Sequence, residues 1–375
     1  MHATLAIDGG TPVRKHLLPY ARQSVSEDDI SAVNEVLRSD WLTTGPMVGE
    51  FEKKFAAFTG AKEAVAVSNG TAALHAAMVG AGIGAGDEVI VPAMTFAASA
   101  NAAVYLDATP VFVDCDPGTL LIDPSAVEKL ITKKTKAIVA VDYAGQPCDY
   151  AALRAIAEKN RLTLIADACH ALGGSFGKKP VGSLADLNTF SFHPVKPLAT
   201  GEGGMITTDD ATMAKTMRRF RNHGITTDHR ERQEKGSWYY EMPALGYNYR
   251  LTDIQCALGI SQMKKVPEWT KKRQTLAKKY DAALAKMQWL TPLAVRSDVS
   301  HAYHLYVIQL NLEKLSVDRD VIFRALRAEN IGVNVHYIPV HFHPFYRKIF
   351  GTKEGLCPIT EKPSRASSRC RCLPR

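Results

Sequence analysis

Two hydrophobic rhythms alternate along the chain from about residue 24 to residue 210. The first has the period of a helix. Ser26 and Asp29 have the spacing of a capping box, and Ile30, Val33, Val36 and Leu37 then recur on one helical face. Phe51, Phe55 and Phe58 form a second apolar stripe, ended by Gly60. The second rhythm is a set of short, continuously apolar runs rich in β-branched residues, each set apart by a helix-length segment. These runs predict strands at 64–67, 88–91, 111–114, 136–141 and 162–166, with further strands at 188–192 and 204–208. Such runs between helices imply a mainly parallel sheet covered on both faces. Beyond about 209 the pattern changes to long Lys- and Arg-rich helices, predicted at 253–265 and 266–287. A second β/α unit follows, with strands at 304–310 and 332–337 around a helix at 318–328. The predicted class is α/β: a large domain over 1–262, a smaller C-terminal domain over 263–362 hung on a long helix, and an atypical basic tail at 363–375 expected to be disordered.

Composition narrows the class further. With 375 residues, 46% apolar and 22% charged, the chain is neither disordered, collagen-like nor a disulfide scaffold. No apolar run approaches the roughly 18 residues of a membrane span. The opening MHATLAIDGGTPVRKHLLPY lacks the layout of a secretory signal, so a cytoplasmic protein is expected. Half of the net charge of +8 sits in the last seventeen residues, and the other basic residues are scattered, so no nucleic-acid partner is expected. The seven cysteines include no CxxC pair, and no metal site is expected.

Candidate chemistry falls at the ends of predicted strands, where open α/β sheets place their ligands. Ser68-Asn69-Gly70-Thr71-Ala72 turns from a strand into a helix start, which offers backbone N–H groups to a phosphate. Asp167, in ADACHA, ends a buried strand, where a carboxylate needs a cation or a donor, or else caps the next helix. Lys196, in FSFHPVKPLATGEGG, stands on a turn beside Pro and Gly, poorly placed for a surface lysine and suited to act as an amine nucleophile. A phosphate turn, an Asp and a Lys, in that order, form the set that pyridoxal phosphate chemistry requires.

With these residues in place, SNGTAALHAA, ADACHALGG, FSFHPVKPLATGEGGMITT and LGYNYRLTDIQCALG resemble the sugar-nucleotide aminotransferases of the DegT/DnrJ/EryC1/StrS family, from about residue 17 to 362. The resemblance implies the type I PLP-dependent transferase (aspartate-aminotransferase-like) fold. It also implies pyridoxal 5′-phosphate as cofactor, cycling through pyridoxamine 5′-phosphate. Lys196 would then join the cofactor and move the proton, and Asp167 would pair with the pyridine nitrogen. His170 would lie near the 3′-oxygen, and Thr71, Ala72 and Ser191 would hold the phosphate. Phe96, unless a core residue, would stack on the ring, and Asn248 would reach the phosphate of a neighbouring subunit, so that a homodimer shares its sites.

Within the family, PYARQSVSEDDI, SDWLTTGP and GVNVHYIPVHFHPFYR look most like the transaminases of pseudaminic acid biosynthesis. That implies a UDP-4-keto-6-deoxy-N-acetylhexosamine as substrate and glutamate as donor, with another keto-sugar nucleotide as the rival. A dehydratase of this type would carry His in place of Lys196, and a PLP-sensing regulator would need a DNA-binding domain. Trp41, Thr43, His336 and Tyr337 occupy stretches that line the sugar pocket in relatives. Arg250 and His223 are further candidates for it. His336, His341 and His343 read as pocket wall rather than metal ligands. After Lys362 the family pattern lapses, which implies a weakened, even catalytically impaired protein with Val321, Phe323 and Leu326 exposed.

Overall fold

The computed structural model describes residues 4–227 and 229–366. In chain order the elements are α1 (Glu27–Leu37), α2 (Pro46–Thr59), β1 (Glu63–Val67), α3 (Gly70–Gly80), β2 (Glu88–Pro92), α4 (Ala97–Val104), β3 (Thr109–Val113), α5 (Pro124–Leu130), β4 (Thr135–Val141), α6 (Tyr150–Asn160) and β5 (Thr163–Asp167). Next come β6 (Ser175–Phe176), β7 (Lys179–Pro180), β8 (Leu187–Ser191), β9 (Gly204–Thr208), α7 (Ala211–Phe220), α8 (His229–Glu234), α9 (Asp253–Met263) and α10 (Val266–Leu284). The last part holds β10 (Leu290–Pro292), β11 (Val299–Ser300), β12 (Ile308–Leu310), α11 (Arg319–Ala328), α12 (Pro344–Phe350) and α13 (Pro358–Ala366).

Seven strands form the main sheet in the order β1-β9-β8-β5-β4-β2-β3. β9 runs antiparallel to both neighbours, and the other adjacent pairs are parallel. Strand alternation sends successive residues to opposite faces. Leu164 of β5 therefore joins one core with Phe51, Phe55 and Phe190, and Ile165 joins the other with Leu74, Met78 and Leu187. Each of the seven predicted main-sheet strands lies within two residues of its observed limits.

One buried carboxylate ties the first helix to the body. Asp29, fully buried, accepts from the Ser26 backbone N–H at 2.9 Å, Ser261 Oγ at 2.6 Å and Gln262 Nε2 at 2.7 Å, and pairs with Lys265 Nζ at 2.8 Å. Burial alone would raise its pKa, but the Lys265 ammonium and the three donors outweigh burial and hold it below the usual carboxylate value. A depressed folded pKa gives stability that is present above about pH 4 and lost as the pH falls through the folded value. Asp29→Ala leaves a cation and three donors facing a cavity and is expected to cost about 3–5 kcal/mol in denaturant unfolding at neutral pH. A loss below about 1 kcal/mol would show that α1 is anchored by its apolar face alone.

The C-terminal third departs from the predicted pattern in three places. Of the strand expected at 304–310 only β12 forms, because the preceding backbone bonds elsewhere: Ala302 N–H donates to Gly145 O at 2.8 Å and Leu305 N–H to Ala144 O at 3.0 Å. Residues 332–337 form no strand. Gly332 N–H donates to Leu18 O at 2.8 Å, and His336 O accepts from Tyr143 Oη at 2.9 Å, so this stretch is bonded across the molecule rather than to a neighbouring strand. Regular structure also passes the expected limit at 362, since α13 continues to Ala366. Asp114, at the end of β3, accepts the backbone N–H groups of Ile359 at 2.8 Å and Thr360 at 2.7 Å and so caps that helix from 245 residues away. Residues 367–375 of the tail lie outside the described residues. Val321, Phe323 and Leu326 are half-buried rather than exposed, and Glu329, just past the end of α11, accepts the N–H groups of Ala6 at 2.8 Å and Val13 at 2.7 Å.

Candidate active site

The carboxyl ends of β1, β2, β4, β5 and β8 open onto one cleft of about 860 Å³. It brings together Thr71, Ala72, Phe96, Asp167, His170, Ser191, Lys196, His336 and Tyr337, nine residues spread over most of the chain. Parallel strands end on the same edge, so the sheet order itself assembles them.

The turn after β1 is shaped for close approach. A Cβ on Gly70 would lie 2.7 Å from the Ser191 Cβ, so only glycine lets the α3 N-terminus and the end of β8 meet. Asn69 caps α3, its Oδ1 accepting from the Ala72 N–H at 2.8 Å. The Ala72 amide is engaged in this cap, and Thr71, Ala72 and Ser191 line the cleft together beside the first amides of α3.

Asp167 is 8% exposed, and its Oδ2 accepts from Ser99 Oγ at 2.7 Å, which in turn is 2.7 Å from Thr95 Oγ1. Its Oδ1 accepts from the Cys169 N–H at 3.3 Å. Asp167 therefore belongs to a polar relay at the cleft floor and caps no helix. Lys196 is half-buried on the following turn, with its N–H donating to His193 O at 2.8 Å. Phe96 is 61% exposed at the α4 N-cap, which removes the core reading, and its ring centroid is 6.2 Å from that of Tyr337. Tyr337 packs edge-on to Tyr143 at 6.2 Å, and burial among these rings pushes its phenol well up. His336 Nε2 is hydrogen-bonded to Tyr20 Oη.

The cleft also contains residues that spacing did not single out: Tyr20, Thr95, Tyr105, Glu202, Tyr249 and His304. Beneath it, Asp142 ends β4 as Asp167 ends β5, and that shared strand-end position was a signal available in the sequence. Asp142 is fully buried; its N–H donates to Asp167 O at 3.1 Å, and its Oδ1 accepts from Tyr150 Oη at 2.8 Å. Burial pushes its carboxyl up to about 7.

Five candidates stand outside this chain's cleft. Trp41 and Thr43 belong instead to the entry of α2, where Asp253 accepts the Gly45 and Met47 N–H groups at 2.8 and 2.9 Å and Thr43 bridges to Thr252. That long-range cap turns the stretch away from the cleft. Asn248 is exposed, in a bridge to Asn222, and Arg250 donates to Asn222 Oδ1 at 2.7 Å. His223 donates its N–H to Tyr247 O at 3.0 Å in the same loop pair. Among the described residues no three His, Cys, Asp or Glu side chains gather as a metal site; His341 is buried against Glu361, 3.0 Å away. Among the described residues no helix is long and apolar enough to cross a membrane.

The glycine-bounded turn, the buried carboxylate and the half-buried amine fit pyridoxal phosphate, since phosphate, ring nitrogen and aldehyde each meet a group of matching chemistry. The comparisons agree. The spore coat polysaccharide biosynthesis protein SpsC of Bacillus subtilis (strain 168) is 45% identical over 347 residues, covering 92% of this chain and 89% of that protein. Spr1654 of Streptococcus pneumoniae, solved in its PLP form, superposes with a TM-score of 0.87 at 32% identity, covering 96% of this chain and 93% of that one. PseC of Helicobacter pylori, an aminotransferase involved in the biosynthesis of pseudoaminic acid, gives a TM-score of 0.87 at 32% identity, covering 95% and 94%. The family match runs over residues 23–375, through the tail in which the pattern was expected to lapse. The chain belongs to the DegT/DnrJ/EryC1/StrS aminotransferase family and is a sugar aminotransferase that depends on pyridoxal phosphate.

Proposed function

We propose that this enzyme transfers an amino group from glutamate to the 4-keto carbon of a UDP-4-keto-6-deoxy-N-acetylhexosamine, the chemistry expected of a pseudaminic acid pathway. The observation that carries the reaction class is the convergence of Lys196 and Asp167 on one cleft beside the α3 N-terminus. The likeness to PseC supports the substrate class.

When bound, pyridoxal phosphate supplies an aldehyde that accepts an amine and a ring that withdraws electrons. The chain's own residues do the rest. The α3 N-terminus with Thr71 and Ser191 holds the phosphate, and Asp167, fixed by Ser99, holds a proton on the ring nitrogen. Lys196 Nζ would take the proton from the α-carbon of the amino donor and hand it to the carbon that bears the cofactor's aldehyde, and in the second half-reaction would take that proton back and give it to C4 of the sugar. Phe96, Tyr337 and His336 wall the cleft and keep water from the reacting carbon.

Asn248 would serve the cleft of a neighbouring subunit in a homodimer. Its loop is strongly apolar yet exposed in the single chain, with Trp238 at 85%, Leu245 at 75% and Met242 at 61%, as expected of a face covered by a second copy. Mixing Lys196→Ala chains with Asn248→Ala chains is therefore expected to restore activity, because a hybrid dimer then holds one intact site. A mixture no more active than its inactive parents would show that each chain completes its own site. The substrate itself is tested by incubating the enzyme with glutamate and a panel of UDP-, dTDP- and GDP-4-keto-6-deoxy sugars, with products identified by mass and NMR. Preference for the UDP-N-acetylhexosamine is the expected result, and preference for a dTDP or GDP sugar overturns it.

A further inference from the structure

His304 takes no part in the scheme above, yet its surroundings are built around it. It is 2% exposed although it lines the cleft, and its ring centroid lies 4.5 Å from that of His170, tilted by 39°. His170 is 8% exposed and has the Tyr143 ring on another side at 6.4 Å. Backbone contact makes this arrangement rigid. Ala302 and Leu305 donate to the carbonyls of Gly145 and Ala144, on either side of His304. Gly145 has φ +102°, and a Cβ there would come within 2.8 Å of the His170 carbonyl oxygen and 2.9 Å of the His304 nitrogen. Three segments, the turns after β4 and β5 and the stretch before β12, thus meet at van der Waals limits around two imidazoles in close, tilted contact.

We infer that His304 is a positioning residue for transamination, acting through His170. The inference rests on the cleft's reading as the pyridoxal phosphate site, in which His170 lies near the cofactor's 3′-oxygen. An imidazole can rotate about χ1 and χ2, and each rotamer aims its N–H differently. With the His304 ring 4.5 Å away on one side and the Tyr143 ring 6.4 Å away on another, His170 keeps one rotamer where it lines the cleft. The second ring also excludes water from the first, so an N–H of His170 would meet the cofactor's oxygen with little competition from solvent. The stretch that carries His304 follows α10, so the C-terminal third of the chain reaches the cofactor site through His170.

The test is a double-mutant cycle on the PLP-loaded full-length enzyme, read by kinetics and by the absorbance of bound cofactor. His304→Ala removes the ring. It is expected to retain cofactor, shift the balance between the visible and near-ultraviolet bands, and lower kcat by roughly one to two orders of magnitude. KM for glutamate should stay within about twofold, since the donor does not touch His304. His304→Phe, which keeps a flat ring in the same place, should recover most of the loss. In a His170→Gln background, His304→Ala should add nothing further. Wild-type bands and kcat in His304→Ala, a His304→Phe variant as impaired as His304→Ala, or full additivity with His170→Gln would overturn the inference. If the Ala variant does not fold, His304→Leu, which fills the space without a flat ring, carries the same cycle and the same criteria. A wild-type enzyme showing no visible band on addition of PLP would defeat the cofactor reading itself, a separate failure.

Discussion

Lys196→Ala is expected to lower turnover by roughly four orders of magnitude or more while leaving the fold and cofactor binding in place. The size follows from the absence of a substitute. The other groups in the cleft that could move a proton include Tyr20, His193 and His336, and His336 is already bonded to Tyr20 and accepts from Tyr143 Oη through its carbonyl. Lys196 sits on a half-buried turn with its own N–H bonded locally, so removal of its side chain opens no core cavity. The measurement is a single-turnover assay beside an absorbance spectrum and a melting curve. Residual activity above about one percent of wild type, after any contaminating enzyme is excluded, would mean that another base moves the proton.

The second large effect is expected from Asp167→Asn. Asparagine fits the same space and still accepts from Ser99 at the present 2.7 Å contact, so the fold should survive. What is lost is the negative charge opposite a protonated ring nitrogen. A hydrogen bond to a charged group is worth about 1.5–3 kcal/mol, so cofactor affinity should fall roughly ten- to hundredfold. Turnover should fall further, because the same charge also steadies electron density drawn into the ring at the transition state. Ser99→Ala, which removes only the hydroxyl that orients Asp167, should show a milder form of the same change. If Asp167→Asn binds cofactor as tightly as wild type, the nitrogen's partner lies elsewhere in the cleft, and the buried Asp142 carboxyl beneath it is the next group to test.

Much of this was legible in the residues themselves. Strands that are buried on both faces announce themselves as apolar runs, and the main sheet follows from them. Thr71, Asp167, Ser191 and Lys196 were legible for the same reason, since each follows a strand within a few residues and parallel strands share an edge. Residues placed by contacts across the fold were not. Trp41 and Thr43 stand outside this chain's cleft, at the entry of α2, where a cap from Asp253, more than two hundred positions away, decides where the helix begins. The stretch at 332–337 has the composition of a strand, yet its hydrogen bonds go to Leu18 and Tyr143. Tyr20 and His304 reach the cleft from opposite ends of the chain, and no local pattern marks either. The last residues of α13, from 363 on, read as part of a disordered tail because the carboxylate that caps the helix belongs to Asp114.

The capping of α13 has a bearing on how the protein is made. Asp114 leaves the ribosome about 245 residues before Ile359 and Thr360, whose amides it holds. Until those residues emerge, a half-buried carboxylate at the end of β3 has only local partners, and the wall carrying His341 lacks Glu361. Ala6 waits similarly for Glu329, 323 residues later. At synthesis rates of about 5–20 residues per second, the early sheet stands incomplete for roughly 10 s or longer. A ribosome that stalls shortly before codon 357 would release a chain that holds every residue lining the cleft yet lacks the helix that Asp114 caps.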